Sequence, residues 1–171
     1  RNFDVASYYP SLMIKNGYTS RNIPSPEIFE SVFRDRIAAK KAGDKVKSDA
    51  LKLILNTTYG ASLASTNPLY DPLMGRSVCI SGQLYLLELA QRLYQTIPGL
   101  RVVQLNTDGV MVEFDDQYYP SVIEITDEWQ QRTGHGLEED NPIVLLIQKD
   151  VNNYILVFEN GKIKTKGGYF S

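Results

Sequence analysis

Apolar side chains recur every three to four residues in three segments of the chain, the spacing of amphipathic helices. The first segment begins at Pro26, and we expect it to end before Gly43. Asp44 then caps a second helix, which we expect to end at Gly60, so the two helices form an antiparallel hairpin. Residues 65–75 predict a loop, and residues 76–97 predict a third helix.

Extended runs occupy most of the remaining chain. "NFDVA" predicts a strand, after which Ser7 caps a short helix. Residues 101–106 and 109–114 predict a hairpin with Asp108 in its turn. Residues 118–134 indicate a helix in their second half, and residues 142–168 indicate two or three strands with "ENGK" as a two-residue turn. This order predicts an α+β fold in which helices cover an antiparallel sheet.

Composition excludes several classes of protein. With 171 residues, 43% hydrophobic and 22% charged, the chain can bury a substantial core. A net charge of −2 disfavours coating of nucleic acid by bulk charge, although a local basic patch is compatible with it. The single cysteine, Cys79, and single histidine, His135, exclude an internal disulfide and a Cys/His zinc site.

The sequence also bears on the cellular setting. No apolar run approaches the ~20 residues of a membrane span, so we expect no membrane contact and a cytoplasmic location. The chain begins without Met inside a predicted strand. We interpret it as a fragment of a longer protein.

Two carboxylates end predicted strands and are candidates for metal chemistry. Asp4 ends the first strand, and Asp108 lies between the two strands of the hairpin. If these strands are neighbours, both carboxylates reach one edge of the sheet, where they suit Mg²⁺. Taken alone, each residue is more readily explained as an ordinary turn or helix-leading aspartate, because aspartate is common in turns.

Cations and aromatic rings follow helical spacing in the predicted hairpin. Lys52, Asn56 and Tyr59 share one face of the second helix, and Arg36 and Lys40 are four residues apart on the first. The three cations could line one groove and clamp a triphosphate. Solvated helix faces are the alternative. Near the C-terminus, lysines and Tyr154 could contact a phosphate backbone, or the lysines could simply protect a sheet edge.

These segments resemble the motifs of a known protein family when they are taken together and in order, although each alone is weak evidence. "DVASYYPS", "KLILNTTYG" and "LNTDGV" resemble motifs A, B and C of family B DNA polymerases. Lys149 and Tyr154, although more widely spaced than usual, resemble the lysine-tyrosine motif of that family, and "KTKGG" resembles the segment after it. The short hairpin and the C-terminal half look most like a phage-type or protein-primed member, which would place the protein in the host cytoplasm if a phage encodes it. The resemblance implies a palm with an antiparallel sheet and a helical-hairpin fingers subdomain.

The resemblance also implies subdomain boundaries, an activity and partners. Residues 1–25 and 61–171 would be palm and residues 26–60 fingers, without the exonuclease and thumb domains of the parent chain. The implied reaction is template-directed DNA synthesis, in which a primer 3′-hydroxyl attacks a dNTP with two Mg²⁺ ions bound, and Mn²⁺ can substitute. Primer-template DNA, dNTPs and other replication proteins would be the partners.

Residue roles follow from the same resemblance. Asp4 and Asp108 would be the catalytic carboxylates, with the Val5 carbonyl as a further metal ligand. The residues implied to bind the dNTP are Ser7, Tyr8, Tyr9, Arg36, Lys40, Lys52, Asn56 and Tyr59, with Tyr9 excluding a 2′-hydroxyl. The residues implied to contact primer or template are Gly60, Thr107, Lys149, Tyr154, Lys166 and Gly167.

The motifs depart from the family pattern at several positions. Asn106 stands where motif C has its first aspartate, and Gly109 replaces a serine. Tyr8 replaces a leucine in motif A, and Thr57 replaces a serine in motif B. The missing charge at Asn106 supports one alternative, an inactive polymerase-like module that binds nucleic acid or a replication partner. A second alternative is an unrelated α+β binding domain.

Overall fold

The computed structural model describes residues 1–168. Its helices are α1 (Tyr8–Lys15), α2 (Pro26–Lys41), α3 (Lys45–Leu63), α4 (Pro72–Thr96) and α5 (Tyr119–Thr133). Its strands are β1 (Asn2–Val5), β2 (Arg101–Leu105), β3 (Gly109–Glu113), β4 (Leu137–Glu139), β5 (Ile143–Asp150), β6 (Asn153–Phe158) and β7 (Ile163–Lys166). The mixed α+β class with antiparallel sheets is confirmed.

The strands form two sheets. The first has the order β2-β3-β1-β4, and every pair in it is antiparallel. The second has the order β5-β6-β7, also antiparallel. Met111 of the first sheet packs with Tyr154, Leu156 and Phe158 of the second in one buried cluster. Strand β4 was not predicted, because its three residues are too few for a visible alternation of polar and apolar positions.

The chain divides into two compact units. The first unit consists of residues 1–6 and the chain from Leu84 onward, and it contains both sheets. The second unit is Ser7–Gln83 and contains α1, α2, α3 and the first half of α4. These boundaries are not those of the implied palm and fingers subdomains, whose assignment stays a prediction.

Helix α5 and the second half of α4 supply the helical core of the first unit. Leu86, Leu89 and Leu93 of α4 and Trp129 of α5 are almost completely buried. The Trp129 indole N–H donates to the carbonyl of Tyr85 at 3.1 Å, so the ring satisfies its polar atom inside the core. A helix was predicted only in the second half of residues 118–134, but α5 spans Tyr119–Thr133. The helix can start this early because Pro120 is tolerated in its first turn.

The second unit contains the predicted helical hairpin. Asp44 caps α3 by accepting the Lys47 backbone N–H at 3.0 Å, as expected. The prediction that Gly60 ends this helix was wrong, since α3 continues to Leu63 with Ala61 and Ser62 buried. A glycine inside a helix costs about 1 kcal/mol, which the burial of the following turn offsets.

Two further boundaries differ from the predictions. Helix α4 begins at Pro72 rather than Arg76, because proline fits a first turn and Asp71 accepts the Met74 N–H at 3.4 Å. The turn between β6 and β7 has three residues rather than two. Gly161 has φ +79° there and donates to the Phe158 carbonyl at 2.9 Å, the geometry of a three-residue hairpin loop.

Candidate active site

The two predicted metal-binding carboxylates lie at the end of one strand and in the loop before its neighbour, both in the first unit. Asp4, near the end of β1, is directly opposite Gly109, the first residue of β3. The Val5 N–H donates to the Asp108 carbonyl at 2.6 Å, which ties the hairpin loop to the end of β1. The end of β1 and the loop before β3 are therefore neighbours, which is the condition under which Asp4 and Asp108 were expected to converge.

The hairpin loop is as short as a hairpin allows. The Asn106 N–H donates to the Gly109 carbonyl at 2.8 Å, which leaves only Thr107 and Asp108 in the loop. Both loop residues are exposed. The Asp108 side chain is therefore presented to solvent while its backbone is held by β1.

Gly109 makes room for the Asp4 carboxylate. A Cβ atom added to Gly109 would overlap Asp4 Oδ1 and would lie 2.9 Å from the Phe3 carbonyl oxygen. The serine of the family motif at this position would thus displace the Asp4 side chain. The departure at Gly109 has a local steric explanation in this chain.

The Asp4 carboxylate lies in an acidic, half-buried environment. Burial raises the pKa of its carboxyl, and the charges of Asp108 and Asp140 raise it further, whereas a hydrogen bond from Asn2 and the charge of Lys164 lower it. A cation beside Asp4 would favour the ionised carboxylate against this burial and repulsion. The environment is thus one in which a bound divalent cation is stabilising.

The donor set fits Mg²⁺ with ligands from solvent or substrate. Asp4, Asp108 and the Val5 carbonyl are hard oxygen donors, and Mg²⁺ commonly binds one or two carboxylates together with waters and phosphates. Within residues 1–168, no group of three or more His, Cys, Asp and Glu side chains is arranged to hold a metal ion.

Asn106 is held by a buried glutamine. Gln104 Nε2 donates to Asn106 Oδ1 at 2.7 Å and to the Val151 carbonyl at 3.0 Å. A carboxylate at position 106 could accept the same bond from Gln104. The amide therefore preserves the local geometry and removes one negative charge.

Sequence reasoning missed two residues next to Asp4. Asn2 is buried in β1, and Asp140 follows the unpredicted strand β4, where its N–H donates to the Asn2 carbonyl at 3.0 Å. The alternation along β1 puts Asn2 and Asp4 on one face, a signal that was available in the sequence. Nothing local marked Asp140, because its position depends on the pairing of β4 with β1.

The C-terminal site residues have dissimilar surroundings. Tyr154 of β6 is only 5% exposed, burial raises the pKa of its phenol, and the Lys166 ammonium lies 5.6 Å from its ring centroid. Lys149 is exposed on β5. Gly167 has φ +86°, and an added Cβ would overlap Asn153 and the Asn152 carbonyl oxygen, so this position requires glycine.

In the second unit, the start of α1 differs from the prediction. Ser7 occupies the position before the helix, but its side chain makes no capping hydrogen bond, so the expected cap was wrong. Its backbone is left-handed, with φ 51° and ψ 45°, the only non-glycine positive φ within residues 1–168. Such strained residues concentrate at functional sites.

The tyrosines of motifs A and B are distributed between core and surface. Tyr8 is buried and donates to the Gly82 carbonyl at 2.7 Å, which fits the core-packing alternative for one of the pair. The half-buried Tyr9 meets the Tyr59 ring edge-on, with 4.6 Å between centroids. The Tyr59 hydroxyl lies 2.8 Å from Cys79 Sγ, and burial and then this contact raise the pKa of Tyr59.

The three cations of the predicted groove differ in their exposure to solvent. Arg36 is only 7% exposed, and its Nε and Nη1 have no hydrogen-bond partner within residues 1–168. Arg36 lies seven residues after the buried Phe29, two turns further along the same stripe of α2, so the spacing could have indicated its burial. The other predicted polar residues of the hairpin and its motif B glycine are exposed: Lys40, Lys52, Asn56 and Gly60.

Comparisons with known proteins add no family. No protein-family model matches the chain, and no match was found among curated proteins. No helix in the described part of the chain is long and apolar enough to cross a membrane.

Proposed function

We propose that the chain is the palm and fingers portion of a family B-like DNA polymerase. The reaction is attack of a primer 3′-hydroxyl on the α-phosphate of a dNTP, with release of pyrophosphate. The observation that carries the proposal is the position of Asp4 at the end of β1, beside the loop that carries Asp108 before the paired strand β3. Support also comes from motifs A, B and C, which follow one another in the family's order.

The first unit would contribute the metal ligands. Asp4, Asp108 and the Val5 carbonyl would hold two Mg²⁺ ions, which supply neutralisation of charge on the attacking and leaving oxygens. The tie between the Val5 N–H and the Asp108 carbonyl keeps the Asp108 loop beside β1. This backbone hydrogen bond would keep the two segments that carry the carboxylates together before substrate binds, and such positioning lowers a barrier.

The second unit would contribute binding of the dNTP. Arg36, with two buried N–H groups unpaired within residues 1–168, would gain hydrogen-bond acceptors from a triphosphate. Lys40 and Lys52 would add charge from exposed positions, and Tyr9 would discriminate against a 2′-hydroxyl. The left-handed Ser7 before α1 is compatible with backbone amides that bind phosphate.

Primer extension tests this proposal in the natural protein that contains the chain. Asp4→Asn and Asp108→Asn should each abolish extension, whereas Asp127→Asn, on the exposed side of α5, should leave it unchanged. Equal extension by the wild type and both site variants would refute the mechanism. Retained DNA binding without extension by the wild type would favour the inactive-module alternative.

A further inference from the structure

The buried amide of Asn2 lies between two carboxylates. Asn2 is 4% exposed, and its Nδ2 donates to Asp140 Oδ2 at 3.0 Å. Burial raises the pKa of the Asp4 carboxyl, and hydrogen bonding by the nearby Asn2 side chain lowers it. Asn2 and Asp4 are two residues apart on one strand, so their side chains share a face of the sheet.

Only one orientation of the Asn2 amide suits these neighbours. Ionised carboxylates accept hydrogen bonds and cannot donate them, so the NH₂ group rather than Oδ1 has to face Asp4 and Asp140. Asn2 Oδ1 is left buried without a hydrogen-bond partner in the described chain. An apolar residue at position 2 would avoid the cost of burying this unpaired oxygen. The presence of asparagine there indicates that its N–H donors matter more than the packing of an apolar side chain.

Asp140 is held in place from two sides. Its backbone N–H donates to the Asn2 carbonyl at 3.0 Å, as a continuation of the β1–β4 pairing. Its carboxylate lies 3.9 Å from the Lys164 ammonium of β7. Asp140 is thus an acceptor with a defined position, and it restricts rotation of the Asn2 amide.

We propose that Asn2 is a positioning residue, which orients the Asp4 carboxylate for a divalent cation, and that Asp140 locks the Asn2 amide for this purpose. The proposal rests on the proposed function, since it takes Asp4 as a metal ligand. Neither residue touches the cation. Partners that orient metal ligands in this way typically contribute about 10–100-fold to metal affinity or activity.

Mn²⁺ binding to the 171-residue chain, followed by electron paramagnetic resonance without nucleotide or DNA, tests the inference. Asn2→Leu keeps the volume and removes the donors, and we expect it to weaken binding about tenfold. The control Asn22→Leu removes an amide that donates to the Tyr70 carbonyl at 2.8 Å, far along the chain from Asp4, and should leave Mn²⁺ binding unchanged.

A charge-matched pair isolates the role of Asp140. Asp140→Asn and Asp140→Ala both remove the negative charge, but only the asparagine keeps an oxygen that can accept from Asn2. We expect Asp140→Ala to bind Mn²⁺ several-fold more weakly than Asp140→Asn. If circular dichroism shows that Asn2→Leu does not fold, the two Asp140 variants still test the proposal. Equal Mn²⁺ affinities of Asp140→Asn and Asp140→Ala would overturn it.

Asp4→Asn separates this inference from the proposed function. If the wild type binds Mn²⁺ no more tightly than Asp4→Asn, the metal site itself is absent and the proposed function fails. If Asp4→Asn loses binding while folded Asn2→Leu matches the wild type, the positioning role is overturned and the metal site stands.

Discussion

Gly109→Ala should disable the metal site without unfolding the protein. Gly109 does not have a positive φ, so alanine is compatible with the backbone there. The perturbation is steric, because the added Cβ would overlap Asp4 Oδ1 and lie 3.2 Å from Asp4 Cγ. The Asp4 carboxylate has to move away, while the Phe3 carbonyl oxygen, at 2.9 Å from the same Cβ, limits movement of the backbone.

The size of the effect follows from the distances. Carbon atoms normally approach to about 3.5–4.0 Å, so the carboxylate has to retreat by about 1 Å once its overlapping oxygen is included. Misplacement of a catalytic group by about 1 Å can cost on the order of 10²-fold, which corresponds to about 2.7 kcal/mol. Overpacking of this kind lowers the free energy of unfolding by about 1–3 kcal/mol.

The assay compares Mn²⁺ affinity and thermal unfolding of the wild type, Gly109→Ala and the control Gly136→Ala. A Cβ at Gly136 meets no atom within 4 Å, and that glycine has no positive φ, so the control should resemble the wild type in both measurements. Gly109→Ala should bind Mn²⁺ about 10–100-fold more weakly, the range typical when a metal ligand loses its orientation, while retaining a cooperative unfolding transition. Wild-type affinity in folded Gly109→Ala would show that the position of the Asp4 carboxylate does not matter for metal binding.

Three further predictions concern charge. Arg36→Met removes the unpaired buried Nε and Nη1, so it should raise the free energy of unfolding by about 1–3 kcal/mol. It should also abolish thermal stabilisation of the protein by dATP. A lower melting temperature without dATP would contradict this. Asn106→Asp adds a negative charge beside Asp108 and should tighten Mn²⁺ binding several-fold in the Mn²⁺ affinity measurement described above. Unchanged or weaker Mn²⁺ binding would refute the electrostatic argument. The Arg21 guanidinium and backbone N–H hold the pKa of the buried Asp71 carboxyl well below its usual range, so this pair stabilises the fold above about pH 3.9 and less as the pH falls below that value. Asp71→Asn should therefore lower the melting temperature at pH 7 by more than at pH 2, and an equal difference at both would exclude the ion pair as the cause.

Local sequence patterns were sufficient for most helices and for the hairpin. Asp44 caps α3 through an atom three residues away, and the strands around Asp108 alternate over a few residues. These features depend on near neighbours in the chain, so propensity and spacing determine them. The boundary at Gly60 was less predictable, because burial of the next turn decides whether a helix continues.

The sequence by itself determined the helices, the hairpin and the order of the two candidate carboxylates. Only the tertiary structure shows that β1 pairs with β3, which makes Asp4 and Asp108 neighbours. Tertiary structure also decided the position of Asp140 beside Asn2. These are contacts between residues far apart in the chain, and a local pattern carries no information about which distant strand a short segment will join.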